Sequence, residues 1–450
     1  MTVRGRDALA IGALLAPAAV LFSRGLDDRT NYDEGVYLAS LDALRHGQEL
    51  GADVFASQPP GFYLLLRALA LVAGRSIDGL RIAMIVTALL GVVAAYLIGR
   101  RLVGPAGGIA AGALVIAAPP YAAQAPRVTA DLPAIAFALA ALAIAAWSFE
   151  RGAVWGPAAA GAVAAAAISV KLLALPVIVP LAVLAWQRRV GARAAAAALL
   201  DALVVGLVLV GVYAGVLPEL WDDAVGFHRD ARSISFGQSA GSRIADYFGG
   251  RTPTTWVAVA GLAAAILVRR HVALWAWVAA AIVFLVLQVP LLDHHFVLLA
   301  AALAIAAGTS LMSVRGRLWI FTVGIVCLGA AAGWVQDYRQ IDRSSEPEPA
   351  DVRRAADALR ALTRPSELVA SDLPIVPYLA DRREPGGLVD TSAVRFATGS
   401  LTARDVEHAP VRIYVVGREF SRHPETTKGL APVRRFGSIT ILARRRASPP

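Results

Sequence analysis

Cysteine is nearly absent from this chain. Cys327 is the only one, and it lies inside an apolar run, so no disulfide can form within the chain and no thiolate metal cluster is available. Charge is sparse as well: 17% of residues are charged, below the roughly 25% of an ordinary soluble domain. A spaced metal motif such as HExxH is missing. Residues 1 to 23 are apolar but are followed by no small-residue cleavage site, which argues against a signal peptide. No convincing repeat of about 20 to 50 residues occurs, and the alanine-rich runs count only as low complexity that permits close helix approach.

What fills the chain is hydrocarbon. With 57% hydrophobic residues and a mean hydropathy of +0.60, the composition is that of a polytopic α-helical membrane protein. A helix rising about 1.5 Å per residue needs about 20 apolar residues to cross about 30 Å of hydrocarbon, and about eleven such runs can be placed. They fall near 8–23, 80–99, 106–121, 131–149, 153–170, 172–186, 199–217, 254–268, 272–290, 295–312 and 318–334. Arginines test this independently. Arg4, Arg6, Arg100, Arg101, Arg151, Arg188, Arg189, Arg193, Arg269, Arg270, Arg315 and Arg317 gather at alternate span ends, which assigns that side to the cytoplasm. The loops 24–79 and 218–253, and everything after about 335, then face outward, and the short apolar run Phe62 to Ala73 is placed in the interface.

The formal charge of +10 would in a soluble protein point to nucleic acid. Here most of it is orientation charge at span ends, which favours anionic lipid head groups, so membrane lipids are the expected partner and nucleic acid is not. Composition shifts from about residue 335. Ser, Glu and Pro cluster at 344–349, giving an expected linker over 335–349 between a membrane domain, 1–334, and a small extracytoplasmic α/β domain, 350–450. In that domain Val352, Ala355, Ala356, Leu359 and Leu362 have helical spacing. Leu368 to Ala370, Leu388 with Val389, Ile413 to Val416 and Ile439 to Leu442 read as buried strands. Thr402 and Asp405 have the spacing of a helix capping box.

The polar chemistry concentrates in the first outer loop, Asn31 to Tyr63. Asp33 and Glu34 follow Thr30 and Asn31, either of which can cap a helix running through Leu44. Acids in a first helical turn complement the macrodipole and need no catalytic role. Neighbours on a helix point about 100° apart, so the two carboxylates are not expected to do the same job.

DEGVY at 33–37 and QPPGFYLLL at 58–66 resemble the first-loop signature of the GT-C glycosyltransferases, the group that includes the protein O-mannosyltransferases and the aminoarabinose transferase of lipid A. RVTADLP at 127–133 is similar to that family's second acidic site, and SVKLLALP at 169–176 to its lysine-containing turn. DHHFVLLAAALAIAAG at 293–308 stands where relatives open a late span with a basic and an aromatic residue. The resemblance covers about residues 8 to 334, and its motifs are short but lie in the family's order.

The resemblance implies a GT-C fold with interfacial helices in the first outer loop. It implies an inverting transfer of a sugar from a polyprenyl-phosphate donor to a hydroxyl of an envelope glycan, lipid or protein at the outer face. Asp33 is then the general base and Glu34 its support, orienting the helix or the acceptor, while Asp131 binds acceptor or positions a cation. Arg127, Lys171, His294 and His295 are candidate phosphate partners, with Gln58 and Tyr63 also lining the substrate site. For Arg127 and Lys171 the plain alternative is snorkelling at span ends, and for the histidines an interfacial polar position. Asp293 with the two histidines could bind a divalent ion, but adjacent residues rarely ligate one ion together, so the cofactor is left open. Gln58 departs from the family, since many aminoarabinose-transferase relatives have lysine before Pro-Pro. His294 and His295 depart too, standing where an arginine and a tyrosine are often found.

The richness in alanine and arginine points to a high-GC bacterium and its plasma membrane. Two other classes compete with the enzyme. A secondary transporter would use Lys171 or Asp131 on an ion path, although inverted repeats are not visible. A scaffold presenting the 340–450 domain leaves the acid pair without a role.

Overall fold

A computed structural model describes residues 3–148, 155–187, 193, 196–206, 218–234, 238–249, 252–344 and 346–444. Arg151, Arg188, Arg189 and residues 207–217 of an expected span lie outside the described residues. The chain divides into two compact units.

The first unit comprises residues 1–26, 72–211 and 236–344. Among the described residues, five of its helices are long and apolar enough to cross a membrane: Gly5–Ser23, Ile77–Leu102, Asp131–Ser148, Asp293–Met312 and Leu318–Arg343. Shorter apolar helices occupy other expected span positions, among them Pro105–Ile116, Trp155–Val170 and Val272–Leu287. Helix α1 is Val3–Ser23. The helix Ile77–Leu102 shows why these segments start and stop where they do. Ser76 Oγ accepts from the Gly79 N–H, Asp78 sits in the first turn, and Arg100 and Arg101 close the last, each complementing the dipole.

Helices pack through small residues. A Cβ on Gly91 would run into the Tyr121 hydroxyl and one on Gly261 into Ala307, so the absence of a side chain is what lets these helices approach. The helix Val297–Met312 is buried along its whole length, and its polar side chains are paired, Thr309 Oγ1 donating to Ile305 O at 2.7 Å and Ser310 Oγ accepting from Trp275 Nε1–H at 3.1 Å. Arg24, at the end of α1, pairs with Asp342 and lies over the Tyr338 ring at 4.9 Å. The last long helix continues to Ser344, through the first residues of the expected linker.

The second unit comprises residues 27–71, 212–235 and 345–450, so the first loop and the C-terminal segment share one compact body. Its sheet has the order β1-β2-β4-β3, with β1 Val369–Ser371, β2 Ile413–Val416, β3 Leu430–Phe436 and β4 Ile439–Arg444. β1 and β2 are parallel and the other pairs antiparallel. Ala370, Leu401, Val406, Tyr414 and Phe420 form the core beneath it. The helix Ala350–Leu362 buries Val352, Ala355, Ala356 and Leu359, as its spacing predicts, and Thr402 and Asp405 form the expected capping box.

One expected strand is absent and one strand is additional. Leu388 belongs to a 3-10 turn, Gly386–Leu388, because the preceding Pro385-Gly386-Gly387 bends the chain and the Leu388 N–H donates to Pro385 O at 2.8 Å. The strand Leu430–Phe436 was not anticipated: it is the sheet edge, carries Pro432, and turns Arg434 and Arg435 to solvent. Proline and outward charge are tolerated on an edge but erase the apolar alternation that marks a strand.

Candidate functional site

In the first unit four of the expected residues come together. Asp131 opens the helix Asp131–Ser148, and Lys171 ends the stretch that leaves Trp155–Val170. Lys171 Nζ donates to Asp131 Oδ1 at 2.8 Å, and both residues are buried. A buried ion pair in a membrane-length segment is costly to build and is the usual mark of a functional position there.

His294 and His295 lie in the 3-10 turn Asp293–Phe296. A carboxylate oxygen of Asp131 and one ring nitrogen from each histidine fall within 4.8 Å of one another. Tyr247 stacks on Phe296 at 4.8 Å and steadies the turn. Asp293 is not part of the cluster: its side chain is 97% exposed and pairs with Arg243 at 3.0 Å. Arg127 is half-buried in the turn leading into the Asp131 helix, its N–H donating to Gln124 O at 3.1 Å.

The donor set decides what this cluster can hold. The Leu292 N–H donates to His295 Nδ1 at 3.1 Å, so neutral His295 carries its proton on Nε2. A histidine that ligates a metal has the opposite arrangement, donating from its second nitrogen to an acceptor. Lys171 meanwhile takes one oxygen of Asp131. The cluster thus sets a lysine ammonium and a ring N–H of His295 beside the Asp131 carboxylate, a set with the cationic and N–H character that a phosphate would need.

In the second unit the first loop is ordered around helix α2, Tyr32–Arg45. Asn31 caps it: the Glu34 N–H donates to Asn31 Oδ1 at 2.8 Å, and the Asn31 N–H donates to Glu34 Oε2 at 3.3 Å. Glu34 is fully buried in this box. Asp33, one residue earlier and about 100° round the axis, is half-buried. Helix α3, Pro60–Ala73, packs on α2 through Phe62, whose ring meets Tyr37 at 4.7 Å. Gln58 and Tyr63 are both buried, and Tyr63 stands 6.4 Å from Tyr37.

The turn that carries Gln58 is held by residues the sequence did not single out. The Ala56 N–H donates to Asp223 Oδ2 at 3.0 Å, and His228 Nε2 donates to Ser57 O at 2.8 Å. Arg395 lies over the Phe55 ring at 3.7 Å. Burial pushes the Asp223 carboxyl up to about 6, against the Ala56 N–H and Arg395, which pull it down. These partners lie far away in sequence, and no local spacing announces them.

Comparison with known proteins follows the same lines. Residues 57–214 match the family profile described as dolichyl-phosphate-mannose-protein mannosyltransferase. No curated protein matches the sequence. Among solved structures, ArnT from Cupriavidus metallidurans bound to undecaprenyl phosphate is similar with a TM-score of 0.73 at 16% identity, covering 100% of this chain and 100% of that one. Archaeal oligosaccharyltransferase AglB from Archaeoglobus fulgidus, in complex with an inhibitory peptide and a dolichol-phosphate, has a TM-score of 0.56 at 13% identity, covering 98% of this chain and 75% of that one. The apo oligosaccharyltransferase from the same organism gives 0.58 at 12% identity, covering 94% and 73%. The fold is that of the GT-C glycosyltransferases.

Proposed function

We propose that this chain, a multi-pass membrane protein with the GT-C fold, is an inverting glycosyltransferase that moves a sugar from a polyprenyl-phosphate donor to an acceptor hydroxyl at the outer membrane face. The observation that carries this reading is the group formed by Lys171, Asp131, His295 and the half-buried His294, in which two of the segments are membrane-length helices. A lipid-borne phosphate needs N–H donors at the end of a span, and ArnT, similar over its whole length, binds undecaprenyl phosphate.

The acceptor oxygen attacks the anomeric carbon as the bond from that carbon to the phosphate oxygen breaks. The acceptor proton passes to the Asp33 carboxylate, and the polyprenyl phosphate leaves with the electron pair of the broken bond. One displacement inverts the anomeric centre. Asp33 acts as general base. Lys171, Arg127 and the Nε2–H of His295 stabilise the charge gathering on the leaving phosphate, and Asp131 holds Lys171 in place. With Gln58 before the two prolines, that position brings no charge to the phosphate. Glu34 supports by fixing the start of α2 through its capping box.

The test is transfer by the purified protein in liposomes, with a panel of undecaprenyl-phosphate sugars and envelope glycan acceptors. Release of undecaprenyl phosphate coupled to an inverted glycosidic linkage is expected. Accumulation of unmodified substrate inside sealed vesicles, with no linkage formed, would overturn the enzymatic reading in favour of transport.

A further inference from the structure

The residues on either side of Asp33 are tied to the C-terminal segment, and the ties share one body of the molecule. Before Asp33, the Arg29 N–H donates to Glu346 O at 2.5 Å, and the Thr30 N–H donates to Glu348 Oε2 at 2.9 Å. Directly beside it, Tyr32 Oη donates to Asp390 Oδ1 at 3.1 Å and accepts from the Thr391 N–H at 2.8 Å. One turn on, Gly35 faces the backbone of Ile375, so near that a Cβ would lie 3.2 Å from Ile375 N.

The anchor on the far side is itself rigid. Asp390 Oδ1 also accepts from the Ser392 N–H at 2.9 Å, Thr391 Oγ1 donates to Ser371 O in β1 at 3.1 Å, and Arg395 donates to Asp390 O at 2.7 Å. Burial, with the Asp390 carboxylate beside it, holds the Tyr32 phenol well above its usual value, so it remains a donor. Packing buries α2 from Glu34 to Leu44, while the first residues of its first turn, Asn31 to Asp33, are more exposed. A hydrogen bond in each direction at Tyr32, on a residue adjacent to Asp33, fixes that turn.

We propose that Tyr32 and Asp390 are positioning residues for the transfer reaction, and that the C-terminal α/β segment serves to lock the first turn of α2 and so the aim of the Asp33 carboxylate. The inference rests on the reading of Asp33 as base. A misaimed base costs rate more than affinity, because positioning is realised in the transition state.

The experiment compares steady-state transfer by the full chain in liposomes for Tyr32→Phe, Asp390→Ala, Asp390→Asn and Asp33→Asn. Tyr32→Phe and Asp390→Ala should each lower kcat by about 10- to 100-fold, with donor KM within about 2-fold. Asp390→Asn, whose amide oxygen can still accept from Tyr32 and Ser392, should recover most of the rate, and the Tyr32→Phe, Asp390→Ala double variant should be no worse than either single. Wild-type kcat in Tyr32→Phe beside an inactive Asp33→Asn overturns the lock alone. A fully active Asp33→Asn overturns the base assignment, and the lock falls with it. A Tyr32→Phe defect confined to KM, or an Asp390→Asn variant no faster than Asp390→Ala, contradicts positioning.

Discussion

Lys171 Nζ sits 2.8 Å from Asp131 Oδ1, two buried side chains forty positions apart that share one proton-rich contact. Removing one partner leaves the other charge buried and uncompensated, which typically costs about 3–5 kcal/mol, whereas removing both costs less. Lys171→Met and Asp131→Asn should therefore each lower thermal stability sharply, and the double variant should melt above the sum of the single losses. A double-mutant cycle on thermal unfolding in detergent measures the coupling; additive losses would show that the pair is not energetically linked.

Asp223 supplies a pH dependence whose sign can be worked out. Its carboxyl titrates at about 6 in the folded chain instead of 3.8, so the folded state binds this proton more tightly than the unfolded one. The associated stability is present below pH 3.8 and is lost as pH rises through about 6. Asp223→Asn removes the loss while keeping an acceptor for the Ala56 N–H. The variant should gain about 1 kcal/mol at pH 7.5, after discounting for the partial exposure of the group. Melting curves at pH 4.5 and 7.5 check this, and identical slopes in both proteins would contradict it.

The start of α2 should be sensitive in two ways. Asn31→Ala removes an N-cap and should cost about 1 kcal/mol. Gly35→Leu forces a side chain into the Ile375 backbone and should cost about 1–3 kcal/mol by overpacking. Both should also depress transfer, and limited proteolysis of the first loop should become faster in each. An unaltered cleavage rate in Gly35→Leu would show that the close approach carries no load.

The sequence made the start of α2 legible because its signal is local: a capping residue, acids in the first turn and an apolar face. The ionisable residues at span ends, Asp131, Lys171, His294 and His295, stood out one by one for the same reason, since charge is scarce in apolar segments. Their association was not legible, because two helices, Asp131–Ser148 and Trp155–Val170, separate Lys171 from Asp131 in the chain and the histidines come from a segment still further away. Asp293 illustrates the limit: it is adjacent to the histidines in sequence yet points to Arg243, while the carboxylate that joins them is Asp131. Asp223, His228 and Asp390 carry no local pattern at all, and their roles exist only through contacts with Ala56, Ser57 and Tyr32. β3 was hidden by its exposed arginines, and Leu388 was mistaken for a strand because apolar burial alone does not distinguish a strand from a tight turn.

The central claim is that Asp33 accepts the acceptor's proton. Single-turnover transfer in liposomes preloaded with a polyprenyl-phosphate sugar tests it most directly, comparing wild type with Asp33→Asn while donor binding is followed separately. Donor binding is expected to be unchanged in Asp33→Asn and the transfer rate lower by about 100- to 10,000-fold, the usual contribution of a positioned base. A transfer rate within about 3-fold of wild type, well inside that range of loss, would contradict it.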